Sequence, residues 1–483
     1  MNKNLFITLL FPIYLSALSV NAERNTVLEL PREVEEITKV AKPEVPQKLP
    51  ETANITVKTT KISLVEIEKN PQLAAQILNQ AILQRNIAVI AKVLPIYRHF
   101  PIKDEILVLF AEGTLAEAQQ HYELAITKFR QILAIDPRLN PVRIALAISL
   151  FRDQQNSAAK EQFNKAKVEQ KVPQPIQLLI EHYLQAIEQR SEWKSSFAVN
   201  YLQEDNVNNA SATREIEHTG FIKSDQMLPQ TAHGLAYSVN LARDFNLFAA
   251  HYLSFENTLV GKFYWDNRDY NDVLNRTYLG YTHKSATQTW RLLPFYERRW
   301  IGDKRYRWAN GVRGEWNQWL SANWQVSTAL EYAKQRYFAT PSLNGHSQLA
   351  SFTLLWLRNP QQYFYGGMDL QREHTSVKQY SYTAQTLRLG WGQEWYQGIS
   401  SRLNLSLTRR NYQDEAVLGN VLPLGKIRSD RVYQAHLTLW KRDWHFWGIT
   451  PKLKFSWKKQ DSNIPSMYTY TDKNINLVFE KTF

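Results

Sequence analysis

Four basic residues in alternating contexts carry the first chemical signal in the chain. Lys452, Lys454 and Lys458 alternate with Leu453, Phe455 and Trp457, and Arg402 precedes Leu403, Leu405 and Leu407 in a run of the same kind. Successive side chains of a strand point to opposite faces, so these cations share the wet face of strands whose other face is apolar. They could attract an acidic ligand, or they could be the charges that any polar cavity needs. Other chemistry is thinner. His346-Ser347 has no nucleophile motif around it, so no catalytic pair is assigned and no enzyme is expected. Asp205, Asn206, Asn208 and Asn209 could hold a cation, but such side chains bond local backbone in turns, and the turn is the preferred reading. The eleven histidines show no ligand spacing, so no metal and no cofactor are expected. His121, Tyr122, His182 and Tyr183 are read as packing residues ahead of groove contacts.

The elements that must position these cations are strands of an unusual kind. At the end of the chain Ile475, Leu477, Phe479 and Phe483 share one parity, and Asn474, Asn476, Glu480 and Thr482 the other. Trp324, Val326, Thr328, Leu330 and Tyr332 alternate in the same way with Asn323, Gln325, Ser327 and Glu331, as do Ile399, Leu403, Leu405 and Leu407 with Ser400, Arg402, Asn404, Ser406 and Thr408. A soluble barrel keeps its apolar side within, whereas a transmembrane barrel turns it to lipid and keeps a polar lumen. The terminal aromatic strand resembles the signal that the outer-membrane insertion machinery reads, with Ile475, Leu477, Phe479 and Phe483 as its apolar positions.

Fourteen strands are expected after Ser191, near 193–202, 231–243, 247–257, 273–283, 288–298, 305–318, 322–335, 347–358, 362–373, 380–394, 398–410, 430–442, 449–459 and 471–483. The gaps alternate. Those after odd strands are long, as at 203–230, 258–272, 336–346, 411–429 and 460–470, and those after even strands are short, as at Phe245-Asn246 and Asn359-Pro360. Short turns face the periplasm and long loops the outside, so whatever precedes the first strand lies in the periplasm. The segment Trp300 to Lys304 breaks the rule by being short.

The preceding chain is of three kinds. Lys3, the apolar run Leu5 to Val20 and the small-residue site Val20-Asn21-Ala22 read as a signal peptide cleaved after Ala22. Residues 23–60, with Pro31, Pro43, Pro46 and Pro50, read as an extension without a core of its own. From Lys61 to Arg190 apolar residues recur at three and four spacing, with a period of 34: Gly113 is matched by Ala147, Ala125 by Ala159, and Phe129 by Phe163. Small residues let the helices of a hairpin approach and the Phe fills the space between hairpins, which is the content of a tetratricopeptide repeat. A degenerate unit is expected upstream, with Ala91 in register. Such solenoids bind partners on a concave face.

Composition agrees with an exported barrel protein. There is no cysteine, and 15 Trp and 24 Tyr stand against 4 Met. Net charge is +13, and the excess lies after Ser191, where there are 35 basic and 25 acidic residues. A basic lumen or contact with lipopolysaccharide would explain it; no nucleic-acid module is present, so no nucleic acid is expected.

The whole resembles the surface lipoprotein assembly modulator (Slam) family: a signal peptide (1–22), a flexible extension (23–60), a periplasmic tetratricopeptide-like helical domain (61–190) and a 14-stranded antiparallel outer-membrane β-barrel (191–483). The local resemblance is carried by Asp205-Asn206-Val207-Asn208-Asn209-Ala210, Trp447-Gly448-Ile449-Thr450-Pro451 and Ser462-Asn463-Ile464-Pro465 with Tyr468 and Tyr470. It implies a translocon that delivers a client, a surface lipoprotein or a secreted haemophore-like protein that scavenges haem or metal, from the periplasm to the surface or medium. The barrel-assembly machinery and outer-membrane lipid would be its other partners. On that reading Arg402, Lys452, Lys454 and Lys458 could guide an acidic client segment. Two other functions fit the architecture, a channel for polysaccharide or small solutes and a surface adhesion or host-specificity factor.

Overall fold

A computed structural model describes residues 64–168, 172–217, 219–418 and 422–482. Eight helices come first: α1 (Leu64–Lys69), α2 (Pro71–Leu83), α3 (Ile87–Arg98), α4 (Glu105–Ala118), α5 (Tyr122–Ile135), α6 (Asn140–Arg152), α7 (Asn156–Val168) and α8 (Gln174–Ser191). Their starts are written in the sequence. Asn70 caps α2 by accepting from the backbone N–H groups of Gln72 and Leu73, and Asp104 caps α4 from Ile106 and Leu107, which satisfies donors that a helix cannot pair internally.

Gly113 on α4 lies so close to Phe129 on α5 that an added Cβ would stand 2.4 Å from the ring. Only glycine permits that approach. Ala125, Phe129, Ala147, Ala159 and Phe163 are all fully buried, and the ring of Phe163 stacks on Tyr183 of α8 at 5.0 Å. The helical turns are also periodic: Arg85, Gln120 and Gln154 each end a hairpin turn with positive φ, at 51°, 63° and 63°. Their spacing corrects one expectation. Gln120 and Gln154 are 34 apart, but Arg85 and Gln120 are 35 apart, so the upstream unit is out of step by one residue. Ala91 is consequently exposed, and Ile90, Leu94 and Tyr97 fill the interior instead. Glu117, itself buried, ties three units together through Arg85 at 3.3 Å and Arg152 at 2.8 Å.

Fourteen strands then close a barrel in which every strand is antiparallel to its sequence neighbours and the last returns to the first. They are β1 (Lys194–Glu204), β2 (Ala232–Phe248), β3 (His251–Tyr264), β4 (Asp272–Lys284), β5 (Gln288–Ile301), β6 (Lys304–Trp319), β7 (Trp324–Tyr337), β8 (Gly345–Asn359), β9 (Gln362–Thr375), β10 (Tyr382–Glu394), β11 (Ile399–Leu418), β12 (Leu422–Lys441), β13 (Ile449–Ser462) and β14 (Tyr470–Thr482). Closure leaves no long row of unpaired backbone groups in lipid, which is why sheets span membranes only as barrels.

The loops depart from expectation in two places. Most of 411–429 is strand, since β11 and β12 run on to Leu418 and Leu422 and pair as far as their tips through shifts in register. Outside the membrane no lipid selects alternating side chains, so the period faded there while the backbone ladder continued. The short segment after β5 is a two-residue turn, Gly302-Asp303, with φ of 55° and 60°; positive φ at both positions suits the tight hairpin whose twist matches the strands.

The outer surface is banded. Around the periplasmic end Trp290 and Trp316 lie 5.5 Å apart, Trp324 and Trp356 5.7 Å, and Trp356 and Phe364 5.5 Å. Leu330, Leu389, Leu405 and Leu407 are exposed in the band above. Aromatic belts flanking an apolar band mark the two membrane interfaces.

This placement makes parity testable by substitution. Leu405 is 42% exposed on the outer face, while the Ser406 hydroxyl donates to Gln434 at 3.0 Å inside. Leu405→Arg should destabilise the barrel by about 2–4 kcal/mol near mid-membrane, and Ser406→Arg by much less. Urea unfolding of each variant in lipid vesicles measures both, and equal effects would refute the assignment of faces.

Candidate functional site

The interior of the barrel is not an empty tube. On the wall built by β3 to β7, Arg276 meets Glu297 at 2.5 Å and Glu331 at 3.2 Å. Arg313 meets Glu315 at 2.6 Å and Glu331 at 3.2 Å, and Arg291 meets Glu315 at 3.0 Å. Arg307 and Glu297 also pair, as do Arg291 and Glu256. The chain of contacts runs unbroken from Glu256 to Arg307. Tyr278, Leu293, Phe295 and Ala333 pack beside it in a small apolar cluster, and the Arg276 guanidinium lies 4.6 Å from the centre of the Phe295 ring. Sequence reading missed this network, because the pairing of charges on five strands depends on register, and only the inward parity of single strands was available.

The four basic residues singled out by spacing stand on the opposite wall. Arg402 donates to the Tyr363 hydroxyl at 2.9 Å and lies over Trp440, and Lys452 pairs with Glu480 at 2.8 Å. Both line one cavity of about 320 Å³. That cavity includes Pro360, Gln361 and Glu394, at periplasmic ends of strands, so it opens at the periplasmic mouth. Lys454 is higher on β13, and Lys458 lies 5.0 Å from the centre of the Tyr470 ring near the outer end. The four are therefore spread along the wall, with two of them in one pocket.

The helices dock at the same mouth. The Tyr252 hydroxyl donates to the carbonyl of Gln154, and the backbone N–H of Ser157 donates to the Asn246 side chain at 3.1 Å. Gln154 is the positive-φ residue of the α6–α7 turn, so the strained turn that the repeat requires is also what touches the β2–β3 turn. Asp153 beside it is buried, which raises its carboxyl pKa. Arg190, at the end of α8, donates to the Phe151 carbonyl at 2.9 Å and to Asn156 at 3.1 Å, and Trp193 wedges between Phe245 and Phe255. The passage from helix to barrel is thus held from both sides.

Other singled-out residues have plain positions. Ile475, Leu477 and Phe479 project outward from β14 and are exposed; Phe483 and Ala22 lie outside the described residues. His121 and Tyr122 begin α5, Tyr183 is buried against Phe151 and Phe163, and His182 is exposed on α8. Asn206 and Asn208 spend their side chains on backbone, Asn206 on Ala210 at 2.8 and 2.9 Å, and Asn208 on Leu228 and Gln230 at 2.8 and 3.1 Å. His346 is 4.9 Å from His374 on the outer face, ring centre to ring centre, and its neighbour Ser347 alternates to the other face.

Comparison with known proteins decides the family. Residues 193–483 match the model of the surface lipoprotein assembly modifier, and residues 60–163 match the model of that family's N-terminal repeats. The chain belongs to the surface lipoprotein assembly modifier family. It is 35% identical to surface lipoprotein assembly modifier 1 of Haemophilus influenzae, over 98% of this chain and 97% of that protein. It is 34% identical to a surface lipoprotein assembly modifier of Pasteurella multocida, over 89% and 87%. A more distant relative, the hemophilin secretion modulator of Acinetobacter baumannii, is 24% identical over 86% and 87%. In this member of the family the barrel stands in the outer membrane with its helical repeats in the periplasm.

The lumen network has a measurable consequence. Glu297 is 1% exposed between Arg276 and Arg307, and removing one partner of a buried ion pair leaves the other uncompensated. Glu297→Leu should cost about 3–5 kcal/mol of barrel stability, read as a lower urea midpoint in vesicles. A midpoint equal to that of the unchanged chain would mean that water screens the pair.

Proposed function

We propose that the protein is a translocon that carries a polypeptide client from the periplasm to the cell surface or the medium, the client being a surface lipoprotein or a secreted haem- or metal-scavenging protein. The observation that carries this reading is the docking of the α6–α7 turn on the β2–β3 turn. It sets a partner-binding type of helical stack beside the periplasmic mouth of a membrane barrel. The names of the relatives, which speak of surface lipoprotein assembly and of hemophilin secretion, favour the same client classes.

Arg402 and Lys452 then serve at the entrance, where cations and the Glu480 carboxylate can exchange contacts with a passing acidic segment. Gly113, Ala125, Phe129, Ala147, Ala159 and Phe163 keep the repeat stack rigid enough to present its groove. Lipopolysaccharide is read as a second partner. Lys334, Arg372, Arg409 and Arg431 are exposed on strand ends toward the outside, just above the apolar band, at the level of anionic lipid headgroups. The barrel-assembly machinery is the third, through the apolar positions Ile475, Leu477, Phe479 and Phe483 of the terminal sequence, and a leader removed after Ala22 brings the chain to the periplasm.

Two experiments test this. Co-expression with each lipoprotein or small secreted protein encoded beside the gene should expose or release one of them. A chain lacking residues 61–190 should lose at least tenfold of that export; if no neighbour depends on the chain while the purified barrel conducts ions, the channel reading replaces this one. Deleting Phe483 should lower the amount of heat-modifiable barrel in the outer membrane, and unchanged levels would remove the insertion role from the terminal aromatic.

A further inference from the structure

The closure of the barrel is uneven. β1 pairs with β2 from Lys194 opposite Ala242 to Glu204 opposite Ala232, and β14 pairs with β13 from Tyr470 to Lys481. Between β1 and β14, among the described residues, register runs through five pairs, from Ser196 opposite Thr482 to Asn200 opposite Val478. Extended further, it would set Tyr201 opposite Leu477, Leu202 opposite Asn476 and Gln203 opposite Ile475, but no such pair forms among the described residues. The five pairs lie toward the periplasm, so the gap lies in the outward half of the seam.

The gap runs from hydrocarbon depth to the outer interface, where Tyr201 lies 5.9 Å from Trp265 of the β3–β4 loop. Ile475 is opposite Phe455, which is opposite Leu437, which is opposite Leu403, and these are apolar outward positions of the wall. Tyr201, Ile475 and Leu477 flank the gap on the lipid side, and Ile475 is 69% exposed. On the lumen side the gap has buried Leu202, packed with Val207 and Tyr264, and charges beyond it. Lys262 pairs with Glu204 at 2.6 Å, the Tyr264 hydroxyl donates to Glu204 at 2.7 Å, and Lys458 lies beside Tyr470. Above, the gap is bridged by loops. Lys223, buried in the β1–β2 loop, donates to the carbonyl of Ser211 at 2.8 Å and to that of Ser466, in the β13–β14 loop, at 2.8 Å. The Glu217 N–H adds a longer bond to the Ser466 hydroxyl at 3.4 Å. These acceptors are neutral and the ammonium is buried, which lowers its pKa to about 8. The bridge is thus a joint of a few hydrogen bonds.

An unpaired strand edge in lipid costs several kcal/mol per backbone group, and it presents donors and acceptors alternating at strand spacing. Lipid cannot supply that pattern. An extended polypeptide can, because adding a strand to an exposed sheet edge satisfies both partners by main-chain bonds. Its apolar side chains would then face lipid beside Ile475 and Leu477, and its polar ones the lumen beside Glu204 and Lys262.

We infer that the outward half of the β1–β14 seam is a lateral port, in which an extended segment of the client pairs with Tyr201–Gln203 and Ile475–Leu477 on its way out of the lumen. This deepens the translocon reading and rests on it.

The chain has no cysteine, so thiols can be placed without background. Tyr201→Cys with Leu477→Cys, joined by a short bis-maleimide in intact cells, should reduce export of the neighbour-encoded client at least tenfold. Export by the same variant before joining is the reference, and cleavage of a reducible bis-maleimide should restore it, which shows that the joined protein is folded. Leu405→Cys with Ala435→Cys, opposite each other on β11 and β12, should export equally with and without crosslinker. Undiminished export through a joined seam would overturn the port and leave the translocon standing. Absence of any exported client with the unchanged chain would overturn both.

Discussion

The constraint on which the rest of this structure depends is that a backbone N–H or C=O left unpaired in hydrocarbon costs several kcal/mol. Closure of fourteen strands meets it all round the barrel except in the outward half of the β1–β14 seam, and closure in turn dictates that side chains alternate between lipid and lumen. From that alternation come the outward leucines, the aromatic belts and the inward charges. The lumen then faces its own problem, since charges removed from water must be paired. The run from Glu256 through Arg291, Glu315, Arg313, Glu331 and Arg276 to Glu297 and Arg307 is the solution on one wall. The other wall keeps Arg402 and Lys452 at a cavity, so the two sides of the lumen differ in how freely their charges can serve a passing chain.

What the sequence disclosed follows from where the solvent changes. Leu403, Leu405 and Leu407 against Arg402, Asn404 and Ser406 could be read because lipid and water impose opposite demands one residue apart. The same β11 beyond Asn411 could not, because water lies on both sides there and the ladder to β12 persists without a hydrophobic pattern. The repeat was legible at Phe129 and Phe163, where a large ring must fill a fixed space, but not upstream, where one additional residue moved Ala91 to the surface and Ile90 to the interior. Pairing across the lumen was beyond reach for a different reason. Arg276 and Glu331 are neighbours only once three registers are set, and periodicity along one strand carries no information about register with the next.

The helical domain and barrel meet through residues with separate obligations to each. Gln154 must adopt positive φ to reverse the chain between α6 and α7, which leaves its carbonyl outside the helical ladder and free to accept from Tyr252. Arg190 closes the same turn from the other side. A client held on the repeats is therefore held at a set position relative to β2, and β2 is the strand that pairs with β1 along its whole length. In the translocon proposed above, the order of elements along the chain would take a client from the repeats, past the docked turn, to the strand beside the seam.

No nucleotide is available on either side of the outer membrane, so an export step here must run close to thermoneutral until the client folds outside. Strand exchange at the seam has that property. A client strand entering between β1 and β14 replaces each backbone bond it breaks with one of the same kind, and in the outward half it gains bonds at an edge that has none across the gap. The opposing term is the entropy of ordering the client segment, about 1–2 kcal/mol per residue, which limits the strand held at any moment to a few residues. Once a client domain folds outside it gains about 5–15 kcal/mol, which favours withdrawal of the strand and makes return inward unfavourable. A seam paired along its full length would lack the vacant edge, and one unpaired throughout would leave the barrel open to lipid; the half-paired seam avoids both.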